Sequence, residues 1–258
     1  MNKILLFIPC YNCEKQILRV LNSLNNEVFN FINEIVLVDN RSEDNTRNVI
    51  HEFLKKNKKK NYFKLFLNDE NYSFGGSHKV IINYAKEKNF SHILVLHGDD
   101  QANINDILPQ CVKDNLNLDC FMGSRFLDGS KADTYSVIKK IGNMVFNYLF
   151  SLFSKKKIHD LGSGLYLIKV SVFEDDKYLN FTDNLTFNYY LTLYMAKKDF
   201  NLRYFPISWR EEDQVSNVKI LKQTLELLKI LYLFVFNYKK LFNRKNEREY
   251  FSYKEIEL

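Results

Sequence analysis

Proline and glycine are scarce in this chain, 3 and 8 in 258 residues, which leaves little room for long linkers. Long hydrophobic runs are missing too. Residues 230–236 give seven uninterrupted apolar positions, far short of the ~20 that span a bilayer. The apolar stretch at residues 4–8, before Pro9, is too short for a secretory leader and has no small-residue cleavage site, so a cytoplasmic protein is expected. Only 4 cysteines occur. Cys10 and Cys13 have the Cys-x-x-Cys spacing, but zinc would need a second ligand pair, and Cys111 and Cys120 are badly spaced for one, so reduced thiols are expected. Neither a Walker loop nor a Gly-x-Gly-x-x-Gly fingerprint is present. The net charge of +6 is modest for a nucleic-acid binder. The lysine-rich stretches at 55–60 and 155–157 read as solvated helix ends, so no nucleic-acid partner is expected.

What the chain does have is apolar bulk, 46% hydrophobic residues with 16 Tyr and 22 Phe, enough for one substantial core. Short apolar runs at residues 3–8, 34–38, 63–67 and 92–96 predict strands. The stretches 14–25, 44–57 and 76–88 carry apolar residues at helical spacing, for instance Val80, Ile81, Tyr84 and Ala85. This alternation predicts an α/β fold with a Rossmann-like, mostly parallel central sheet flanked by helices. Residues 1–217 form the expected domain, and 218–258 an amphipathic helix with a basic tail.

The most telling segment is Ser91 to Gln101, where an apolar strand ends in His97-Gly-Asp-Asp-Gln101. Ligands of open α/β sheets sit beyond such strand ends, and Asp99, Asp100 and Gln101 are hard oxygen donors suited to Mg²⁺ or Mn²⁺. A solvated acidic turn or a helix cap is the alternative. Asp39 closes a second strand on the same sheet edge. Glu43, Asp44 and Thr46 have a sufficient role as caps. In Asn71 to Lys79, Gly75 and Gly76 open a helix where backbone can approach a phosphate, or they simply make a flexible turn.

In this order, Ile8-Pro-Cys-Tyr-Asn-Cys-Glu14, Val38 to Thr46, Asn71 to Lys79 and His97 to Gln101 resemble the motifs of family 2 glycosyltransferases. Gly123-Ser-Arg-Phe126, Asp160-Leu-Gly-Ser-Gly164 and the segment 210–216 extend the resemblance toward the branch that contains dolichyl-phosphate mannose synthase. The resemblance implies a GT-A nucleotide-diphospho-sugar transferase fold. It implies nucleotide contacts at Pro9, Tyr11, Glu14, Asp39, Gly75, Gly76, Lys79 and Asp99, and metal contacts at Asp99 and Gln101. His97 stands where the family's first Asp belongs; an imidazole also ligates Mn²⁺, and Asp100 is placed to compensate.

Sugar transfer from a nucleotide diphosphate requires neutralising the leaving charge, so Arg125 and Arg210 are phosphate candidates or, alternatively, surface ion pairs. In the lipid-phosphate branch a Lys follows the Ser that corresponds to Ser216; here it is Asn217. Asp183 is the candidate base for an inverting attack by a hydroxyl, or a cap for the following helix, and Asp160 matches a position near donor or acceptor. Two amphipathic stretches, 136–157 and 216–243, either meet a membrane surface or pack on the sheet or a second subunit as a homodimer. The expected activity is transfer of a sugar from a UDP or GDP type donor onto a glycan or lipid-linked hydroxyl, by a protein peripheral on the inner face of the membrane. The alternatives are a polyprenyl-phosphate acceptor and a nucleotide-sugar binding protein without catalysis.

Overall fold

A computed structural model describes residues 2–111, 115–132, 134–213, 220–244, 248 and 250–257. In chain order the first half runs β1 (Ile4–Cys10), α1 (Ile17–Asn22), α2 (Asn26–Phe31), β2 (Glu34–Asp39), α3 (Thr46–Lys56), β3 (Phe63–Asn68), α4 (Ser73–Glu87) and β4 (His92–Leu96). The second half runs α5 (Leu108–Cys111), β5 (Cys120–Ser124), α6 (Val137–Ser154), β6 (Leu165–Lys169), α7 (Phe187–Lys197), β7 (Leu202–Pro206), α8 (Ile220–Phe236), α9 (Tyr238–Phe242) and β8 (Tyr253–Ile256). The alternation read from the sequence is therefore present. The helix expected over 14–25 ends early, because the Asn25 side chain accepts from the Glu27 and Val28 N–H groups and starts α2 as a new helix.

All eight strands form one sheet, ordered β7-β5-β6-β4-β1-β2-β3-β8. β6 runs antiparallel to β4 and β5, and β8 antiparallel to β3, while the remaining pairs are parallel. β1 and β2 are apolar on both faces because helices cover both. Leu5, Phe7, Val36 and Val38 face the core beneath α4 and α7, whereas Leu6, Ile8, Ile35 and Leu37 face the core beneath α1 and α3. The strand order reverses at β1, between β2 and β4, which opens a crevice beyond the carboxyl ends of β1 and β4. The Gly98 N–H donates to the Pro9 carbonyl at 3.0 Å and ties those two ends together.

The residues expected to form a separate tail return to the sheet. β8 pairs with β3, Tyr253 stacks on Phe66 at 4.0 Å, and Leu227, Ile230 and Phe234 of α8 enter the core. The four cysteines are buried free thiols. Among the described residues no helix is long and apolar enough to cross a membrane.

One core group responds to acid. His78 of α4 is buried among aromatic rings, with Phe7 at 5.1 Å and Phe187 at 5.1 Å, and its Nε2 has no hydrogen-bond partner among the described residues. Burial pushes its pKa down to about 4. A histidine held neutral in the fold but charged in the unfolded chain contributes stability above pH ~6.5 that is lost as pH falls toward 4. The expected loss from this group is up to about 3 kcal/mol. His78→Phe should flatten that slope in urea titrations at pH 8 and pH 5; an unchanged slope would exclude His78 as its source.

Candidate active site

The crevice at the β1/β4 edge opens into a cleft of about 590 Å³. Its floor carries Tyr11 and Asn12 from the turn after β1, and His97, Asp99 and Gln101 from the turn after β4. Arg125, just past β5, and Trp209, past β7, form a second side. α6 supplies Lys139 and Asn143, α7 supplies Asn188 and Tyr189, and α8 supplies Gln223 and Thr224. Five residues singled out in the sequence thus converge here: Tyr11, His97, Asp99, Gln101 and Arg125.

Asp99 sits half-buried, accepting from the Gln101 N–H at 3.2 Å. Burial raises its pKa to about 6, opposed by that hydrogen bond. The His97 ring meets Phe74 edge-on at 5.2 Å, and its Nε2 is without a hydrogen-bond partner among the described residues. Burial, assisted by the neighbouring His78, pushes its pKa down to about 3. The ring occupies the space beside Gly164, whose φ is +76° and where a Cβ would lie 2.3 Å from His97 Cε1. Only glycine fits there.

Arg125 is held rigidly. Nε and Nη2 donate to the two Asp160 oxygens at 2.8 and 2.7 Å, and the guanidinium lies over the Trp209 ring at 4.9 Å and the Tyr135 ring at 5.2 Å. Burial works against its charge, but Asp160 outweighs it and keeps the pKa raised. Asp160 is itself fully buried and also accepts from the Gly162 N–H. It is not on the cleft wall, and its two oxygens hold Arg125 in place.

Several other expected residues are committed elsewhere. Asp100, at φ +60°, is clamped by Arg19 Nε at 2.6 Å and Arg210 Nη2 at 2.7 Å, which removes its carboxylate from metal binding. The same bond turns Arg210 away from the cleft, toward a neighbouring hollow of about 310 Å³ that it shares with Lys131 and Ser208. Lys79 is buried in the core away from the cleft wall, donating to the Leu179 and Phe181 carbonyls and, at 2.6 Å, to Asp183. Gly75 and Gly76 do not cradle a ligand. A Cβ on Gly75 would meet the Thr182 carbonyl at 2.3 Å, one on Gly76 would meet Tyr72 Cβ at 2.4 Å, and the Gly75 N–H donates to the Asp183 carbonyl at 2.6 Å.

Asp183 is neither on the cleft wall nor a helix cap. Asn184 accepts from the Thr186 N–H, while Asp183 is held by Lys79 and, at 3.5 Å, Arg248. Asp39 is fully buried, accepting from the Ser42 N–H and from Arg47 Nε at 3.0 Å. Glu14 accepts from the Asn45 N–H at 2.9 Å, ahead of α3. Pro9 is not on the cleft wall and its carbonyl accepts the Gly98 N–H, and Ser216 lies outside the described residues. Sequence reasoning missed Lys139 and Glu211, which pair at 3.0 Å on the cleft wall. Glu211 stands beside Arg210 in the sequence, yet nothing local distinguishes it from Glu212.

Among the described residues no three His, Cys, Asp or Glu side chains converge to hold a metal. The donors that do face the cleft, Asp99 and Gln101, fit a divalent cation that takes its remaining ligands from a diphosphate and water.

The glycosyl transferase family 2 model matches residues 6–176, well over half of the chain. The chain therefore belongs to family 2 of the glycosyltransferases. An uncharacterised protein of Methanocaldococcus jannaschii is 28% identical over 239 residues, covering 88% of this chain and 98% of that one. Among solved structures, glucosyl-3-phosphoglycerate synthase of Mycobacterium tuberculosis in complex with UDP superposes with a TM-score of 0.62 at 12% identity, over 95% of this chain and 82% of the other. Staphylococcus aureus TarS, residues 1–349, superposes with a TM-score of 0.59 at 16% identity, over 91% of this chain and 66% of that one. These likenesses show the GT-A fold.

Proposed function

We propose that this glycosyltransferase moves one sugar, with inversion, from a UDP or GDP type donor onto a hydroxyl of a lipid-linked or surface-glycan acceptor, assisted by Mg²⁺ or Mn²⁺. The observation that carries the reading is the convergence of Asp99, Gln101 and Arg125 on one cleft at the reversal of strand order. The solved relatives support the donor class: the mycobacterial synthase was crystallised with Mn²⁺ and UDP, and TarS with UDP-GlcNAc.

As the anomeric C–O bond breaks, negative charge grows on the departing diphosphate. Arg125, fixed by Asp160 and stacked on Trp209, presents a preorganised cation to that charge. Asp99 and Gln101 would hold the metal, which when bound neutralises the same diphosphate. Tyr11, 41% exposed at the cleft floor, offers a face to the base. An attacking hydroxyl must lose a proton, and among the described residues the carboxylate on the cleft wall besides Asp99 is Glu211, to which we assign the base in preference to Asp183. A protein working on such acceptors sits in the cytoplasm, at the inner face of the membrane.

The test is release of nucleoside diphosphate from a panel of UDP- and GDP-sugars in Mn²⁺, with and without acceptor. Turnover with one donor is expected. Glu211→Gln should bind that donor normally while transfer falls roughly 100-fold or more. Asp183→Ala should lose stability, because it strands the buried Lys79 ammonium, but keep turnover in the folded fraction. No release from any donor would favour a binding protein without catalysis, and full activity in Glu211→Gln would point to a phosphate acceptor that needs no base.

A further inference from the structure

Two of the helices that wall the cleft, α6 and α8, are built the wrong way round for a soluble surface. The inner side of α6 carries Lys139, Asn143 and Asn147 alongside Phe146 and Phe150, whereas its outward stripe is Ile138, Ile141, Val145, Tyr148 and Leu152. These outward residues recur at spacings of three and four, as one helical face requires. Tyr148 is 68% exposed and Ile141 58%. α8 buries Leu227, Ile230 and Phe234 and turns Leu221, Leu225, Leu228, Tyr232 and Phe236 outward. The helices pack on each other, with Phe150 and Phe234 in edge contact. More than half of the exposed large apolar side chains among the described residues stand on these two helices. A concentration of that kind marks an interaction surface.

We propose that the outward faces of α6 and α8 form one platform that docks on a bilayer surface bearing anionic lipids, with the cleft mouth at that surface. This rests on the transfer reading above and narrows its acceptor to one anchored in lipid. Charge identifies the occupant. α6 has no acidic residue and α8 has Glu226 alone, whereas Lys140, Lys155, Lys157, Lys222 and Lys229 are exposed on or beside them. Apolar residues framed by lysines match the interface of an anionic leaflet. Two copies meeting through this face would press like-charged lysines together, which disfavours a homodimer here. The face is also continuous with the cleft, because Ile138 and Leu185 are exposed apolar residues that line its wall. An acceptor whose polar head enters beside them leaves its tail in the bilayer.

The test is flotation of the full chain with phosphatidylcholine vesicles, with and without phosphatidylglycerol, alongside the nucleotide-dependent thermal shift. The intact chain should float with the anionic vesicles and release as salt rises. Ile141→Glu combined with Leu225→Glu, two exposed positions away from the cleft wall, should weaken flotation by about tenfold or more with the nucleotide shift unchanged. Ile141→Leu with Leu225→Met should float as the parent does. A parent chain that stays free of both vesicle types overturns the platform, and so does a glutamate pair that floats normally. A concentration-dependent dimer that the glutamate pair dissolves also overturns it, in favour of a second copy. Loss of nucleotide binding in the parent with flotation intact would instead refute the transfer reading.

Discussion

Arg125→Ala is expected to cost both the reaction and a large part of the fold's stability. The guanidinium makes a two-pronged pair with Asp160, which is buried away from water. Removing one partner of such a pair strands the other charge in a poorly solvated site, a loss of about 3–5 kcal/mol. The stacked rings of Trp209 and Tyr135 lose their cation at the same time. In whatever fraction folds, transfer should fall by roughly 100- to 1,000-fold, the typical cost of deleting a preorganised charge partner. Arg125→Lys keeps the charge but not the planar fork, and should fall between the two. Urea denaturation of Arg125→Ala, Asp160→Ala and the double variant separates the effects. The double variant should be more stable than the sum of the single losses allows, because it leaves no unpaired charge. Strict additivity would mean that the pair is not coupled as its geometry indicates.

Asp99→Asn should make the unliganded protein more stable while removing metal-dependent donor binding. Burial raises the Asp99 pKa to about 6 from an ordinary value of 3.8. A carboxyl whose pKa is raised by folding contributes stability that is complete below pH ~4 and disappears as pH rises through 6. At pH 7 the ionised carboxylate therefore costs the unliganded fold up to about 3 kcal/mol. Asparagine has no charge to desolvate, so the variant should be more stable than the parent at pH 7, by a margin that shrinks as pH falls toward 4. That pattern, a stabilised protein with a disabled site, is expected where a charge is kept for its ligand. A variant destabilised at pH 7 would indicate that Asp99 is structural.

Much of the sheet was legible because its strands are short, apolar and separated by helical spacing; the runs at 34–38, 63–67 and 92–96 each became a strand at almost those bounds. β8 was not, because Tyr253–Ile256 is an edge strand whose pattern, half-exposed and charged, looks like a tail. At the site, strand-end position pointed to Asp99 and Gln101, and the family resemblance to Arg125; all three line the cleft. Neither was enough to tell a ligand-facing charge from one consumed by the protein. Asp99 and Asp100 are neighbours of the same chemistry, yet Asp100 is clamped between Arg19 and Arg210, which are distant in sequence. Lys79 and Asp183 each looked functional alone and proved to satisfy one another, as long-range pairing is invisible to local spacing. The same limit hid Glu211 and Lys139. Conversely, the amphipathic stretch at 136–157 was plain in sequence, but which of its faces meets the core depends on the helix being docked through Phe146 and Phe150.

The most direct test of the account is a thermal-shift comparison of the parent chain and Asp99→Asn with UDP, GDP, CDP and dTDP, each with and without Mn²⁺. A ligand that binds the folded state raises its apparent stability by mass action. One nucleotide should stabilise the parent only when Mn²⁺ is present, and leave Asp99→Asn unmoved. A parent chain that no nucleotide stabilises, or an Asp99→Asn variant that responds as the parent does, would contradict the placement of the donor site in this cleft.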